Sequence, residues 1–326
     1  MKKIPPHRDI MIHEARWGYK FQPNINARIM HDGGGFLIET NEDGFRCSRQ
    51  LNKDTENKKI LIFGDSYTAG DGVSNSARFS NKLNDRLKNF DIYNFGLSGS
   101  GTDQQLIIFD NFREKINHDL VLVVVQVENI KRNVLRKRVW TDRYGRKINV
   151  PKPWYELGKN LSLNLKGVPV PKPNLPGETQ EDGGYLNRLT DWLNKKQPKF
   201  KKLLQKIFKF QPLPEYNSEQ SAEWKLLKRI LIEFKSKSKK PIYFIVYPTY
   251  QYIDSTASYN KIRKRFENLS KEHDIKCLHL IDCFHKLSKE KRSTLWFQND
   301  HHPTRLAHEI TSEAIKLFLD NEKFNA

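Results

Sequence analysis

The sequence predicts an α/β fold: a three-layer α/β/α arrangement around a central parallel sheet, carrying a Pro- and Lys-rich insertion. Three observations predict it. Short apolar runs with little alternation recur at Ile60–Phe63, Leu120–Val127 and Ile242–Tyr247, and such runs read as strands covered on both faces. Segments of helical spacing fall between them, which is the strand and helix alternation of parallel sheets. The first run also stops abruptly in Gly64-Asp-Ser-Tyr-Thr-Ala-Gly70, placing a small hydroxyl at a strand's carboxyl end, where open α/β sheets carry their sites.

In chain order, residues 1–58 read as an N-terminal lead-in of mixed polarity, with a loop at Gly33-Gly34-Gly35 and a short strand at Phe36–Glu39. Residues 59–326 form the α/β domain. Ser76–Asn89 places Phe79, Leu83 and Leu87 on one helical stripe. Ile92–Phe95 is a second strand, and Gly96–Gly101 must be a loop. Thr102–Ile116 is a helix, with Thr102 or Asp103 accepting hydrogen bonds from its first free amides. Leu120–Val127, rich in β-branched residues, is the central strand.

From about 132 to 215 the pattern breaks. Pro151, Pro153, Pro169, Pro171, Pro173 and Pro176 crowd one span, and prolines at that density forbid regular helix and central strand alike. The segment reads as an insertion wrapping over the sheet end, with helical pieces at Leu186–Trp192 and Phe200–Phe210. Lys199, Lys201, Lys202, Lys206 and Lys209, at and along the second piece, make a solvated face, or else an anion patch. The α/β pattern then resumes with a helix at Ala222–Phe234, the strand Ile242–Tyr247, a helix at Tyr259–His273, and a strand Cys277–Ile281 closed by Asp282. A last helix from Thr304 is expected to bury Leu306, Ile310, Ile315, Phe318 and Leu319.

Bulk composition narrows the function classes. With 326 residues, 37% of them hydrophobic, a sizeable core is available. The excess of 57 Lys and Arg over 38 Asp and Glu gives a formal charge of +19, which favours anionic partners and otherwise describes a solvated surface. Cys47, Cys277 and Cys283 form no Cys-x-x-Cys pair and no zinc spacing, so no disulfide framework, metal or cofactor is expected. The N-terminus lacks a signal-peptide stretch, and the longest apolar run, Leu120–Val125, is too short for a bilayer. A cytoplasmic protein without a membrane span is the expectation. Trp154, Trp192 and Trp224 accompany the charge without any nucleic-acid-binding motif, so no specific nucleic acid is expected.

Gly-Asp-Ser is an ordinary turn tripeptide, so Ser66 gains meaning only from a base elsewhere in the chain. Trp296-Phe-Gln-Asn-Asp-His-His-Pro-Thr304 precedes the last helix, and within it Asp300 and His302 are two apart. That spacing lets a carboxylate fold back onto Nδ1 of the imidazole and leaves Nε2 free to take a serine proton. Spacing alone leaves His301 open as the base. For Asp65, holding the turn by hydrogen bonds to nearby amides is the preferred reading.

Gly64-Asp-Ser-Tyr-Thr-Ala-Gly70, Asn94-Phe-Gly-Leu-Ser-Gly99, Glu128-Asn129 and Asp300-His-His302-Pro, with His308 following, resemble the four ordered blocks of the SGNH or GDSL hydrolases. Asn41-Glu-Asp-Gly-Phe-Arg46 resembles the lead-in of many bacterial members. The resemblance implies a flavodoxin-like sheet, Ser66 as nucleophile, His302 as base and Asp300 as its orienting carboxylate. It also implies an oxyanion hole made of the Ser66 amide, the Gly99 amide and the Asn129 side chain. The third block departs, reading Val127-Glu-Asn-Ile130 where many members have Gly-x-Asn-Asp. Asn129 is preferred over Glu128 because a carboxylate would repel an oxyanion, with Asn133 the weaker candidate. Gly99 is preferred over Gly96, which with Gly101 is read as permitting the turn.

The function expected is that of a serine esterase removing acyl groups, O-acetyl first, from a small-molecule or glycan ester, with an anionic substrate suiting the charge. Two alternatives stand beside it: an O-acyltransferase onto a sugar hydroxyl, and a catalytically inactive protein binding an anionic polymer.

Overall fold

The computed structural model describes residues 7–31, 34–47, 55–141, 146–173 and 211–324. Two antiparallel hairpins open the chain, β1 (Met11–Glu14) with β2 (Gly18–Phe21) and β3 (Asn26–Ile29) with β4 (Phe36–Glu39). The α/β body follows with β5 (Lys58–Gly64), α1 (Ser66–Ala69), α2 (Phe79–Arg86), β6 (Phe90–Gly96), α3 (Thr102–Phe112), β7 (Leu120–Gln126) and α4 (Asn129–Arg132). Two further hairpins come next, β8 (Lys137–Thr141) with β9 (Lys147–Pro151) and β10 (Trp154–Leu157) with β11 (Leu163–Lys166). The chain closes with α5 (Ala222–Lys237), β12 (Ile242–Tyr247), α6 (Tyr250–Ile253), α7 (Asn260–His273), β13 (Lys276–His279), α8 (Leu280–Phe284), α9 (Lys289–Arg292) and α10 (Arg305–Asn321).

The sheet is parallel throughout, in the order β13-β12-β7-β5-β6. β7 sits at its centre, and every one of its residues is buried, as its lack of alternation requires. Phe79 and Leu83 of α2, with Leu87 just after it, are buried as expected, and α2 packs beside α10. On the opposite face α3 packs beside α5, and Trp224 of α5 meets Phe266 of α7 edge-on at 5.7 Å. Helices on both faces of a parallel sheet make the three layers. Among the described residues no helix is long and apolar enough to cross a membrane.

Two expectations need correction, while a third, that Thr102 or Asp103 accepts at the start of α3, is met by Asp103. The strand at Cys277 stops at His279, because Leu280, Ile281 and Phe284 are buried at helical spacing and form α8. A short apolar run does not distinguish strand from buried helix. In α10, Leu306 is 42% exposed, since the buried face runs through Ala307, Thr311, Ala314, Ile315 and Leu319. At the start of α3 the Asp103 carboxylate accepts from the Gln104 amide at 2.9 Å, but Thr102 Oγ1 has no partner among the described residues.

The lead-in is built into the body. Trp17, Tyr19 and Phe45 join the main core, and Ile10, Phe21, Ile29, Phe36 and Ile38 form a smaller one with Ala69. Arg46 is fully buried and donates to Asn75 Oδ1 and to the carbonyls of Gly70 (2.6 Å) and Val73 (2.8 Å). It thereby fastens the loop that follows α1. Of the 132–215 segment, the described part forms hairpins outside the main sheet, and buried Lys152 is ion-paired with buried Asp103 of α3. The pieces expected at Leu186–Trp192 and Phe200–Phe210 lie outside the described residues.

Candidate active site

Neighbouring strands β7, β5 and β6 end at Gln126, Gly64 and Gly96. The segments leaving those carboxyl ends carry Asn129, Ser66 and Gly99. A Cβ added to Gly96 would lie 2.3 Å from the Ala69 amide nitrogen. Gly96 is therefore more than a turn residue: as the last residue of β6 it lets the backbone of α1 approach the strand. Gly70 closes α1 at φ +81° and donates to the Ser66 carbonyl at 2.8 Å.

Asp65 caps α1 and is fully buried. Its Oδ1 accepts from the Tyr67 amide at 3.0 Å and its Oδ2 from Arg132 Nη1 at 2.7 Å, which is the turn-holding role read from the sequence. Burial raises the Asp65 pKa, with Arg132 opposing the rise. Arg132 also reaches the Ser100 carbonyl at 3.4 Å and Glu128 at 3.3 Å, tying the Ser66 turn to the Gly99 loop.

The last block folds as a closed turn. Trp296 bridges Pro303, and Phe297 N–H donates to the His302 carbonyl at 2.9 Å. His301 lies in the left-handed region at φ +59°. His302 Nδ1 donates to Asp300 Oδ2 at 2.9 Å, and the His302 amide donates to Asp300 Oδ1 at 3.0 Å. The ring of His301 stacks on Tyr250 at 3.9 Å. The structure thus separates the two histidines that spacing left equivalent.

Burial would lower the His302 pKa, but the Asp300 hydrogen bond and the Asp71 charge hold it above the ordinary value. Burial would likewise raise that of Asp300, yet hydrogen bonds from His302 and His31 hold it well below the carboxylate range. His308 is fully buried, accepts from the Phe79 amide at 3.3 Å, and is pushed down to about 3 by burial and nearby cations. It is a neutral packing residue.

Tyr67 joins the Ser66 turn to the histidine loop: its hydroxyl donates to the His301 carbonyl at 3.0 Å and its ring lies 5.6 Å from that of His302. Ser66 Oγ makes no hydrogen bond to His302 among the described residues. Instead Asp71 Oδ2 lies 3.9 Å from His302 Nε2.

Three donors on the segments that leave the neighbouring strands β7, β5 and β6 have no acceptor among the described residues. Asn129 is fully buried, and neither its Nδ2 nor its Oδ1 has a partner among the described residues. The amides of Ser66 and Gly99, both buried residues, donate to no acceptor among the described residues. Gly99 sits in the turn closed by Ser100 N–H to the Leu97 carbonyl, at φ +78°. Glu128 is 47% exposed in its side chain and turned to Arg132. Asn133 uses its Oδ1 on the Asp103 amide at 3.2 Å. Among the described residues, no group of three or more His, Cys, Asp or Glu could hold a metal ion.

Sequence reasoning missed His31, Asp71 and Arg132. Asp71 directly follows the first block and Arg132 lies one helical turn after Asn129, so both were findable. His31 carries no signal at all.

No family model and no curated protein matches the chain. Solved structures do. A member of the lipolytic protein G-D-S-L family from Veillonella parvula matches at 12% identity and TM-score 0.42, covering 80% of this chain and 98% of that one. The psychrotrophic esterase EstA from Pseudoalteromonas sp. matches at 14% identity and TM-score 0.39, over 81% of this chain and 100% of that one. A lipase/acylhydrolase from Enterococcus faecalis matches at 12% identity and TM-score 0.41, over 81% and 96%. At such values the functional reading has to rest on the geometry around Ser66.

Proposed function

We propose that this protein is a serine hydrolase of the SGNH type, an esterase that acts through an acyl-Ser66 intermediate. In this reading Ser66 Oγ adds to the ester carbonyl while His302 Nε2 takes its proton. The carbonyl oxygen, now an anion, accepts from the Ser66 amide, the Gly99 amide and Asn129 Nδ2. Collapse breaks the bond to the alkoxy oxygen, which leaves as the alcohol with the proton from His302. Water then adds to the acyl carbon as the same nitrogen takes its proton, the bond from that carbon to Ser66 Oγ breaks, His302 returns the proton to Ser66 Oγ, and the acid leaves. Asp300 stays ionised throughout and supports the imidazolium.

What supports the reading is the set of three buried donors without acceptors among the described residues, carried on the segments that leave neighbouring strands β7, β5 and β6. A buried amide left unpaired costs stability, and a site that stabilises a developing oxyanion needs such donors kept open. The test is hydrolysis of a short-chain aryl ester by wild type and by Ser66→Ala of unchanged fold. Activity that persists in the variant removes Ser66 as nucleophile.

For the substrate we propose O-acetyl esters on a glycan, in keeping with the resemblance of the sequence blocks, and the formal charge of +19 supports an anionic one. An anionic substrate requires a KM that climbs with ionic strength, because screening weakens attraction between exposed charges. A flat response across salt removes the charge argument.

A further inference from the structure

We propose that His31, delivered by the hairpin of β3 and β4, is a positioning residue that fixes the Asp300 carboxylate for its work on His302. Its catalytic consequence rests on the serine-hydrolase reading; the contact itself does not.

Asp300 Oδ2 receives two imidazoles, His302 Nδ1 at 2.9 Å and His31 Nε2 at 2.5 Å. An ionised carboxylate only accepts, so the bonded nitrogen of each ring carries the hydrogen. His31 is held in a slot. Its ring stands edge-on to Phe297 at 4.5 Å and to Phe36 at 5.7 Å. Gly72, at φ +90°, forms another wall: a Cβ there would come within 2.9 Å of His31 Cε1. Residues from three separate stretches of chain thus shape the seat of a ring whose Nε2 meets the carboxylate that orients the base.

Two consequences follow. Without His31 the carboxylate keeps its two bonds from His302 but loses the one that anchors it to the β3–β4 connection, so the Asp300–His302 pair is held less firmly in place. The carboxylate also loses a donor, becomes a stronger acceptor toward His302 Nδ1, and favours the imidazolium more. The groups facing His302 are Asp300 and His301 from its own loop, Asp65 and Asp71 flanking α1, and the ring of Tyr67. Of these, Asp300 is the group that bonds His31, so its carboxylate carries the effect of changing His31.

The experiment uses His31→Phe, which keeps a ring in the slot and removes the donor, and His31→Gln, which restores one. The imidazole protons of His302 are titrated by NMR in each, with assignment from His302→Gln. In His31→Phe the His302 midpoint is expected to rise by about half a pH unit or more, and in His31→Gln to return toward wild type. Turnover of the aryl ester in His31→Phe is expected to fall about ten- to a hundredfold with KM little changed. Unmoved or falling His302 midpoints in both variants overturn the proposal, whatever the turnover. A midpoint that moves in a protein with no esterase activity leaves the contact standing and removes the serine-hydrolase reading instead.

Discussion

The carboxylate of Asp71 lies 3.9 Å from Nε2 of His302, the nitrogen that a serine base must keep available. Ser98 Oγ donates to the other Asp71 oxygen at 2.6 Å, so the carboxylate links the Gly99 loop to the histidine. Asp71 and Asp300 together hold the His302 pKa above its ordinary 6.5. Since only the neutral ring accepts a proton, activity develops as pH rises through that raised value. The stability given by the charged ring runs the opposite way: it is full below the unfolded-state pKa and is lost as pH rises through the folded one. In Asp71→Asn the acid limb of kcat/KM is expected to move to lower pH by about half a unit or more. A limb that stays in place would show that the two groups do not interact.

Asn129 separates stability from activity. Its amide is fully buried and has no partner among the described residues, so exchanging it for an apolar residue of similar size removes an unsatisfied group. Asn129→Leu is expected to unfold in urea at the same or a higher midpoint, while turnover falls by about 10²- to 10³-fold. Parallel losses of both would make Asn129 structural.

Arg132 and Asp65 form a pair with the carboxylate fully buried. Arg132→Ala strands that charge and is expected to cost about 3–5 kcal/mol in urea denaturation, with Arg132→Met combined with Asp65→Asn recovering much of it. A single variant as stable as wild type would mean that water reaches Asp65.

Close approach of α1 to β6 depends on Gly96. Its obstacle is backbone, the Ala69 amide at 2.3 Å from an added Cβ, and backbone yields less than the end of a flexible side chain. Gly96→Ala is expected to lose at least about 1–3 kcal/mol, read as a lower urea midpoint. No change would indicate that α1 can shift without loss.

The layered sheet was legible because its central strands are largely apolar: β7 is buried along its whole length, and the stripe of Phe79, Leu83 and Leu87 is buried, although α2 spans Phe79–Arg86 rather than the expected Ser76–Asn89. Asp300 and His302 were legible because both lie within one turn, where spacing limits geometry. His31 was not. Its partner stands 269 positions away, and no local pattern encodes a contact made by folding a hairpin over the mouth of a sheet. The end of β13 failed for a different reason, since Leu280 and Ile281 suit a strand and a buried helix equally.

The central claim is that one hydroxyl, at Ser66, is made nucleophilic by one imidazole, at His302. Labelling with a fluorophosphonate, followed by intact-mass measurement and peptide mapping, tests it most directly. The account predicts a single adduct on Ser66 in wild type, none in Ser66→Ala, and labelling slowed by roughly 10²-fold or more in His302→Ala. An unlabelled wild type, or equal labelling of Ser66→Ala, would contradict it.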